Sequence, residues 1–154
     1  MLPESSCPEC NSPLQDGLTC QDHFHTLLFW ENEVPEYGEV HHLTVLCYHL
    51  QHPSLYSPEG LIGARQLLTD FLVLGLSPSQ VVRRDREIRD SGKRQSRITS
   101  RLGQAGSYPV PVKWTMTAAD VVAAGKENYI PTVPSWAFTV KQALDEVPPF
   151  RETQ

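Results

Sequence analysis

Between residues 20 and 33 the apolar positions recur at helical spacing. At 100° per residue, Cys20, His23, Phe24, Leu27, Leu28, Trp30 and Glu31 share one face. Thr19, with Asp22 three residues on, has the form of a capping box at the start of this helix, and Val34-Pro35 stops it. A second run, from about 37 to 52, carries a stripe of Val40, Leu43, Leu46, Cys47 and Leu50 and ends at Pro53. Ser57-Pro58-Glu59 opens a third helix, with Leu61, Ala64, Leu67, Leu68, Phe71 and Leu72 on its apolar face and Gly75 at its end.

Ser77-Pro78-Ser79-Gln80 opens a fourth helix, which fades near Ser91-Gly92. Periodicity then stops over 91–113, a loop of roughly 20 residues ending in the extended "YPVPVKW". Thr117 with Asp120 caps a short helix ending at Gly125. A last helix, about 133–146, buries Val133, Trp136, Val140 and Leu144. The pattern predicts an all-α fold: a small helical bundle of about five to six helices in one domain, 1–154. Residues 1–20 form an N-terminal Cys-rich segment, 20–90 a four-helix portion, 91–113 the loop and 114–147 the C-terminal helices.

Composition adds little to this and narrows the setting. A chain of 154 residues with 40% hydrophobic and 20% charged residues suits a single globular core. No run of ~18 apolar residues exists, so no membrane span is expected. The start "MLPESSCPEC" has neither a basic nor an apolar stretch of the secretory kind. The expectation is a cytoplasmic protein, in a reducing compartment where clustered cysteines point to metal rather than to disulfides.

The net charge of −5 is uneven. Residues 83–101 hold eight of the 13 basic residues: Arg83, Arg84, Arg86, Arg89, Lys93, Arg94, Arg97 and Arg101. Such a strip can hold an anionic partner. It also has a plain reading, a solvated helix end running into a loop, and no aromatic residues interleave the charges as a single-strand binder would need.

All six histidines and all four cysteines fall before residue 53. Cys7-Pro8-Glu9-Cys10 is a C-x-x-C knuckle, and Cys20 follows after a stretch whose Pro13 and Asp16-Gly17 favour a return turn. Three thiolates at this spacing suggest Zn²⁺, which takes four tetrahedral ligands in structural sites. Three unligated thiols would leave two cysteines unexplained on a proline-rich turn.

The fourth ligand is open among His23, His49 and His52. His23 shares a helical face with Cys20. If the first two helices form an antiparallel hairpin turning near residue 36, Cys20 lies level with His52 and His23 with His49. His42 and His49 are ~10 Å apart along the axis, too far to clamp one ion readily. The same hairpin sets Glu31 beside His41 and His42. A carboxylate on an apolar face, next to an imidazole, is either an acid/base pair or a hydrogen-bonded tie between helices.

The segments "CPEC", "DGLTCQDHFHTLLFWE", "YGEVHHLTVLCYHLQHPSLYSPEGL", "WTMTAADVV" and "SWAFTV" together resemble a bacterial family of domains of unknown function. The likeness spans nearly the whole chain and is densest over 7–62. It implies a shared fold and a shared site but no reaction. The family's motif includes Phe24-His25, Glu31, His41-His42-Leu43 and Leu50-Gln51-His52-Pro53. Position 23 is not consistently His there, which favours His25 or a second-helix histidine as the fourth ligand.

Two functions follow as expectations. One is a zinc-stabilised helical module that binds a partner through the basic segment and loop. The other is a metal-dependent enzyme, a hydrolase or thiol-directed transferase, with Glu31 as base and His42 or His49 in its pocket. A redox role for Cys7 and Cys10 would want a thioredoxin-like βαβ setting, which a helical pattern does not offer.

Overall fold

The computed structural model describes residues 6–14, 16–90 and 105–147, and only the helical backbone at 85 and 87–90. Six α-helices lie among them: α1 Cys20–Glu33, α2 His41–Leu50, α3 Pro58–Leu72, α4 Pro78–Asp90, α5 Ala118–Ala124 and α6 Tyr129–Asp145. Short 3₁₀ turns occupy Pro35–Val40, Pro53–Leu55 and Lys126–Asn128. The fold is all-α. The sole β feature among the described residues is an isolated bridge between Ser6 and Pro13 that closes the knuckle.

The caps explain the helix starts. Asp22 N–H donates to Thr19 Oγ1 at 3.1 Å and Thr19 N–H to the Asp22 carboxylate at 2.8 Å, which satisfies two donors that the first turn leaves over. Ser77 and Gln80 exchange the same pair of bonds at the start of α4. Ser57 Oγ accepts from Gly60 N–H at 3.0 Å at the start of α3, where Pro58 needs no partner.

Two boundaries differ from the periodic reading. The turn into α2 is 3₁₀ over Pro35–Val40, and α2 proper begins at His41 rather than near 37. Pro35 starts the turn with a fixed φ, and Val34 offers no side-chain cap to organise a wider one. The last helix begins at Tyr129, one turn before 133. Pro131 falls in its first turn, where a missing N–H costs nothing, and Pro134 follows inside it.

A small core cluster gathers Val112, Ala143 and Val147, and the main one among the described residues reaches from Cys7 to Leu144. In it α1 packs on α5, α2 on α6, and α3 on both α2 and α6. Leu27, Leu50, Leu61, Val121, Tyr129, Val133, Trp136 and Val140 are wholly buried. The stretch after 104 returns over the end of α2. Gly106 N–H donates to the Tyr56 carbonyl at 2.7 Å, the Tyr108 hydroxyl donates to the Leu50 carbonyl, and Gln51 Nε2–H donates to the Met116 carbonyl at 2.7 Å. The last carbonyl of α2 thus gains a long-range donor in place of water. A side chain at 106 would stand 2.9 Å from the Pro53 carbonyl, so this crossing needs glycine. Of the loop expected over 91–113, residues 91–104 lie outside the described residues.

Candidate metal centre

The knuckle is built by local backbone bonds. Cys7 N–H donates to Ser12 O at 2.9 Å and Asn11 N–H to Cys7 O at 2.8 Å. The turn passes through Asn11 at φ +63°, a left-handed position that Asn tolerates. Side chains then fasten the knuckle to the bundle. Glu9 Oε1 accepts the Ser54 N–H at 3.0 Å, and Thr117 Oγ1–H donates to Ser12 Oγ at 3.2 Å. Asp16 (φ +58°) and Gly17 (φ +73°) turn the chain into α1, placing Cys20 on its first residue.

Here Cys7, Cys10 and Cys20 meet His52. One donor atom from each lies within 4.8 Å of all the others, and all four residues are buried. Cys10 Sγ and Cys20 Sγ are 3.5 Å apart. This is far beyond a disulfide bond and close to the ~3.8 Å separation of sulfurs around a tetrahedral ion with ~2.3 Å bonds.

Pro53 keeps His52 out of helical conformation, at φ −129° and ψ 69°. Its Nδ1–H donates back to the Tyr48 carbonyl at 2.6 Å. That bond fixes the tautomer and leaves Nε2 as a bare acceptor, buried and without a hydrogen-bond partner. An oriented imidazole with an orphaned nitrogen beside three thiols is the donor set a metal ion requires.

The electrostatics agree. The Cys10 thiol is pushed up to about 12, first by sharing a proton with Cys20 and then by burial. Burial opposes charge on His52, but the nearby Cys10 thiol, which is close to Nε2 without forming a hydrogen bond of good geometry, and the Tyr48 carbonyl hold it above its ordinary value. The Tyr48 hydroxyl is pushed up to about 12 by burial and by the neighbouring thiols. A divalent cation that displaced the protons of Cys10 and its neighbours would offset this cost of burial.

The remaining candidates lie elsewhere. His25 is exposed on α1, and neither it nor His23 joins the cluster. His49 stays one layer out, among the rings of Phe24, Tyr48 and Tyr56 at centroid distances of 6.1, 5.7 and 5.3 Å. Its pKa is lowered by burial. Cys47 is a core residue with no exposure.

At the turn end of the hairpin Glu31 is drawn in, its side chain 9% exposed. It is His41, not His42, that meets it: Nδ1–H donates to Glu31 Oε1 at 2.5 Å. The other carboxylate oxygen accepts from the Tyr129 hydroxyl, which in turn accepts from Thr44 Oγ1 at 2.7 Å. His42, expected beside Glu31, packs edge-on against Phe71 at 4.4 Å instead, because it is one helical step round from His41 and faces α3. Tyr129 escaped the periodic reading because Pro131 and Pro134 masked the helix around it. The spacing from Tyr129 to Val133 and Trp136 continues the buried stripe and was the available signal.

Of the basic strip, Arg83 and Arg86 are exposed. Arg84 turns inward, donating to Asp70 Oδ2 at 2.6 Å, and Asp70 is 1% exposed. The side chain of Arg89, and Lys93, Arg94, Arg97 and Arg101, lie outside the described residues. No helix among the described residues is long and apolar enough to cross a membrane.

Fold and site together define an all-α protein in which the N-terminal knuckle, the first residue of α1 and His52 just past α2 converge in a Cys₃His cluster able to hold a metal ion. A family model described as a family of unknown function (DUF5946) matches residues 5–145, and the chain belongs to that family. No curated protein and no solved structure matches it.

Proposed function

We propose that the protein is a zinc-stabilised helical module, with Cys7, Cys10, Cys20 and His52 as ligands to one structural Zn²⁺, serving as a binding or interaction module. The carrying observation is the buried Nε2 of His52, aimed among three thiols by the Tyr48 carbonyl and lacking any other partner. A thiolate-rich N/S set favours zinc over magnesium or calcium, which take oxygen. Four side-chain ligands leave no open position for water, which supports a structural ion over a catalytic one. The ion would join the knuckle, the start of α1 and the end of α2, and so contribute to folding directly.

The alternative of a metal-dependent enzyme drawing on Glu31 and His42 gains nothing from this cluster, since neither residue is in it. The test is metal analysis of the purified chain, with Co²⁺ replacing the native ion. One zinc per chain is expected, together with the intense visible bands of tetrahedral thiolate-bound cobalt. Protein from metal-replete medium with neither zinc nor cobalt affinity would overturn the proposal.

A further inference from the structure

Beside the metal centre runs a groove of about 500 Å³, within the size range of binding clefts. The knuckle forms one wall and the extended stretch after Gly106 the other. Its lining includes Tyr108, Trp114, Pro53, Pro109 and Pro111, with Glu9 as the one charged side chain. We propose that this groove binds an extended, proline-containing peptide segment of a partner protein that carries a basic residue. The proposal rests on the module reading above and names its contact surface, which that reading alone had assigned to the basic segment and loop.

Three observations carry it. First, the rings of Tyr108 and Trp114 stand nearly edge-to-face with centroids 6.0 Å apart, in a groove whose lining also includes Pro8, Pro53, Pro109 and Pro111. Aromatic ridges of this kind receive the flat, preformed faces of a polyproline helix at small entropic cost.

Second, the groove offers unused hydrogen-bonding groups. The half-buried Trp114 has an indole N–H with no acceptor among the described residues, although an indole N–H can only donate. Residues 109–115 make no backbone–backbone hydrogen bond among the described residues, so the N–H groups of their non-proline members have no backbone acceptor there. A polyproline ligand has free carbonyls to accept from them.

Third, the charge is one-sided. Glu9 Oε1 is engaged by the Ser54 N–H, while Oε2 has no partner among the described residues. A lone carboxylate at the rim selects a lysine or arginine on the ligand. Glu9 lies between two of the proposed metal ligands, so the ion would also fix this wall in place.

The test uses the metal-loaded full chain, ¹⁵N-labelled, titrated with three synthetic peptides of equal length. One is built of proline and leucine with a single arginine, the second replaces that arginine by glutamate, and the third is glycine and serine. Saturable movement of the Trp114 indole resonance, assigned with Trp114→Phe, is expected with the first peptide alone. Glu9→Gln should weaken binding about fivefold, and Trp114→Ala at least about tenfold. Trp114→Phe, which keeps the ring and removes the donor, guards against a merely unfolded variant. Retained metal and retained helical signal show that each variant folds.

No saturable shift, equal binding of all three peptides, or unchanged binding by Glu9→Gln and both Trp114 variants overturns the proposal. So does an indole resonance that moves only with protein concentration, which assigns the groove to a second copy, or one in contact with residues 91–104 of the same chain. A chain that binds the arginine peptide but no metal retains the groove and loses the zinc reading. A chain that binds zinc but no peptide does the reverse.

Discussion

His52 donates its Nδ1–H to the carbonyl of Tyr48, four residues back, at 2.6 Å, and this bond decides which of the imidazole nitrogens faces the thiols. A buried histidine without such a support would rotate or swap tautomers. Held this way it can present only Nε2 to an ion.

Histidine substitutions should therefore separate sharply. His52→Ala and Cys10→Ser are expected to lose the bound metal, whereas His23→Ala, His25→Ala and His49→Ala should keep one ion per chain. Losing a structural ion removes several kcal/mol of folding free energy, so the melting temperature of the first two should fall by roughly 10 °C or more. Metal analysis and thermal melts on the five variants check this. An intact metal content in His52→Ala would move the fourth ligand elsewhere.

Glu31 and Glu33 lie two residues apart on α1 and should respond differently to truncation. Glu31 is the buried acceptor for both His41 and Tyr129. Glu31→Ala strips a buried hydroxyl of its acceptor and should cost about 1–3 kcal/mol. Glu33 meets Lys126 at 2.8 Å with both side chains more than a third exposed, and its loss should cost less than about 0.5 kcal/mol. Urea unfolding of the two variants gives the comparison. Equal costs would mean that the Glu31 network does not tie the hairpin to α6.

Within the basic strip, Arg84 meets a buried carboxylate, whereas Arg83 and Arg86 are exposed. Arg84→Ala leaves the Asp70 carboxylate, 1% exposed, with Gln66 Nε2–H at 3.0 Å as its remaining side-chain donor. The cost should be about 2 kcal/mol, below that of a fully buried pair because Arg84 is itself 38% exposed. Arg83→Ala and Arg86→Ala should stay within about 0.5 kcal/mol. Hydrogen exchange should show α4 loosening in Arg84→Ala alone.

Acid should destabilise the protein partly through His42. Burial first, and the neighbouring His41 second, hold its folded pKa below the ordinary 6.5. The unfolded chain then binds the proton more readily, so the contribution to stability is fully present above pH 6.5 and is lost as pH falls below it. His42→Phe keeps a ring against Phe71 and removes the titration. Its stability should fall less steeply than the wild type's as pH drops from about 7 to 5, with both proteins metal-loaded. Parallel pH profiles would discount His42.

The sequence by itself determined every element whose cause is local. Capping boxes at Thr19 and Ser77, the Pro58 start and the Gly125 stop depend on neighbours within one turn, and all four stand where the residues put them. Hairpin geometry was also legible, since a tight turn near residue 36 forces equidistant residues level. Phe24 stacks on Tyr48 at 4.1 Å, and Glu31 meets His41. The three cysteines were readable from spacing as one group, and their sulfurs do converge.

The tertiary structure decided what depends on helix rotation and on distant partners. Spacing left His23, His49 and His52 eligible as fourth ligand and the family resemblance added His25, because a helical wheel fixes relative angles but not which face meets the knuckle. Pro53 and the Tyr48 carbonyl bring His52, and none of the other three, among the thiols. The same freedom exchanged His42 for His41 beside Glu31, a change of one residue and about 100°. Tyr129 reaches Glu31 across 98 residues of chain, and Gln51 reaches Met116 across 65. No local pattern encodes such pairs, since they form only when the folded core makes a buried polar group find its partner.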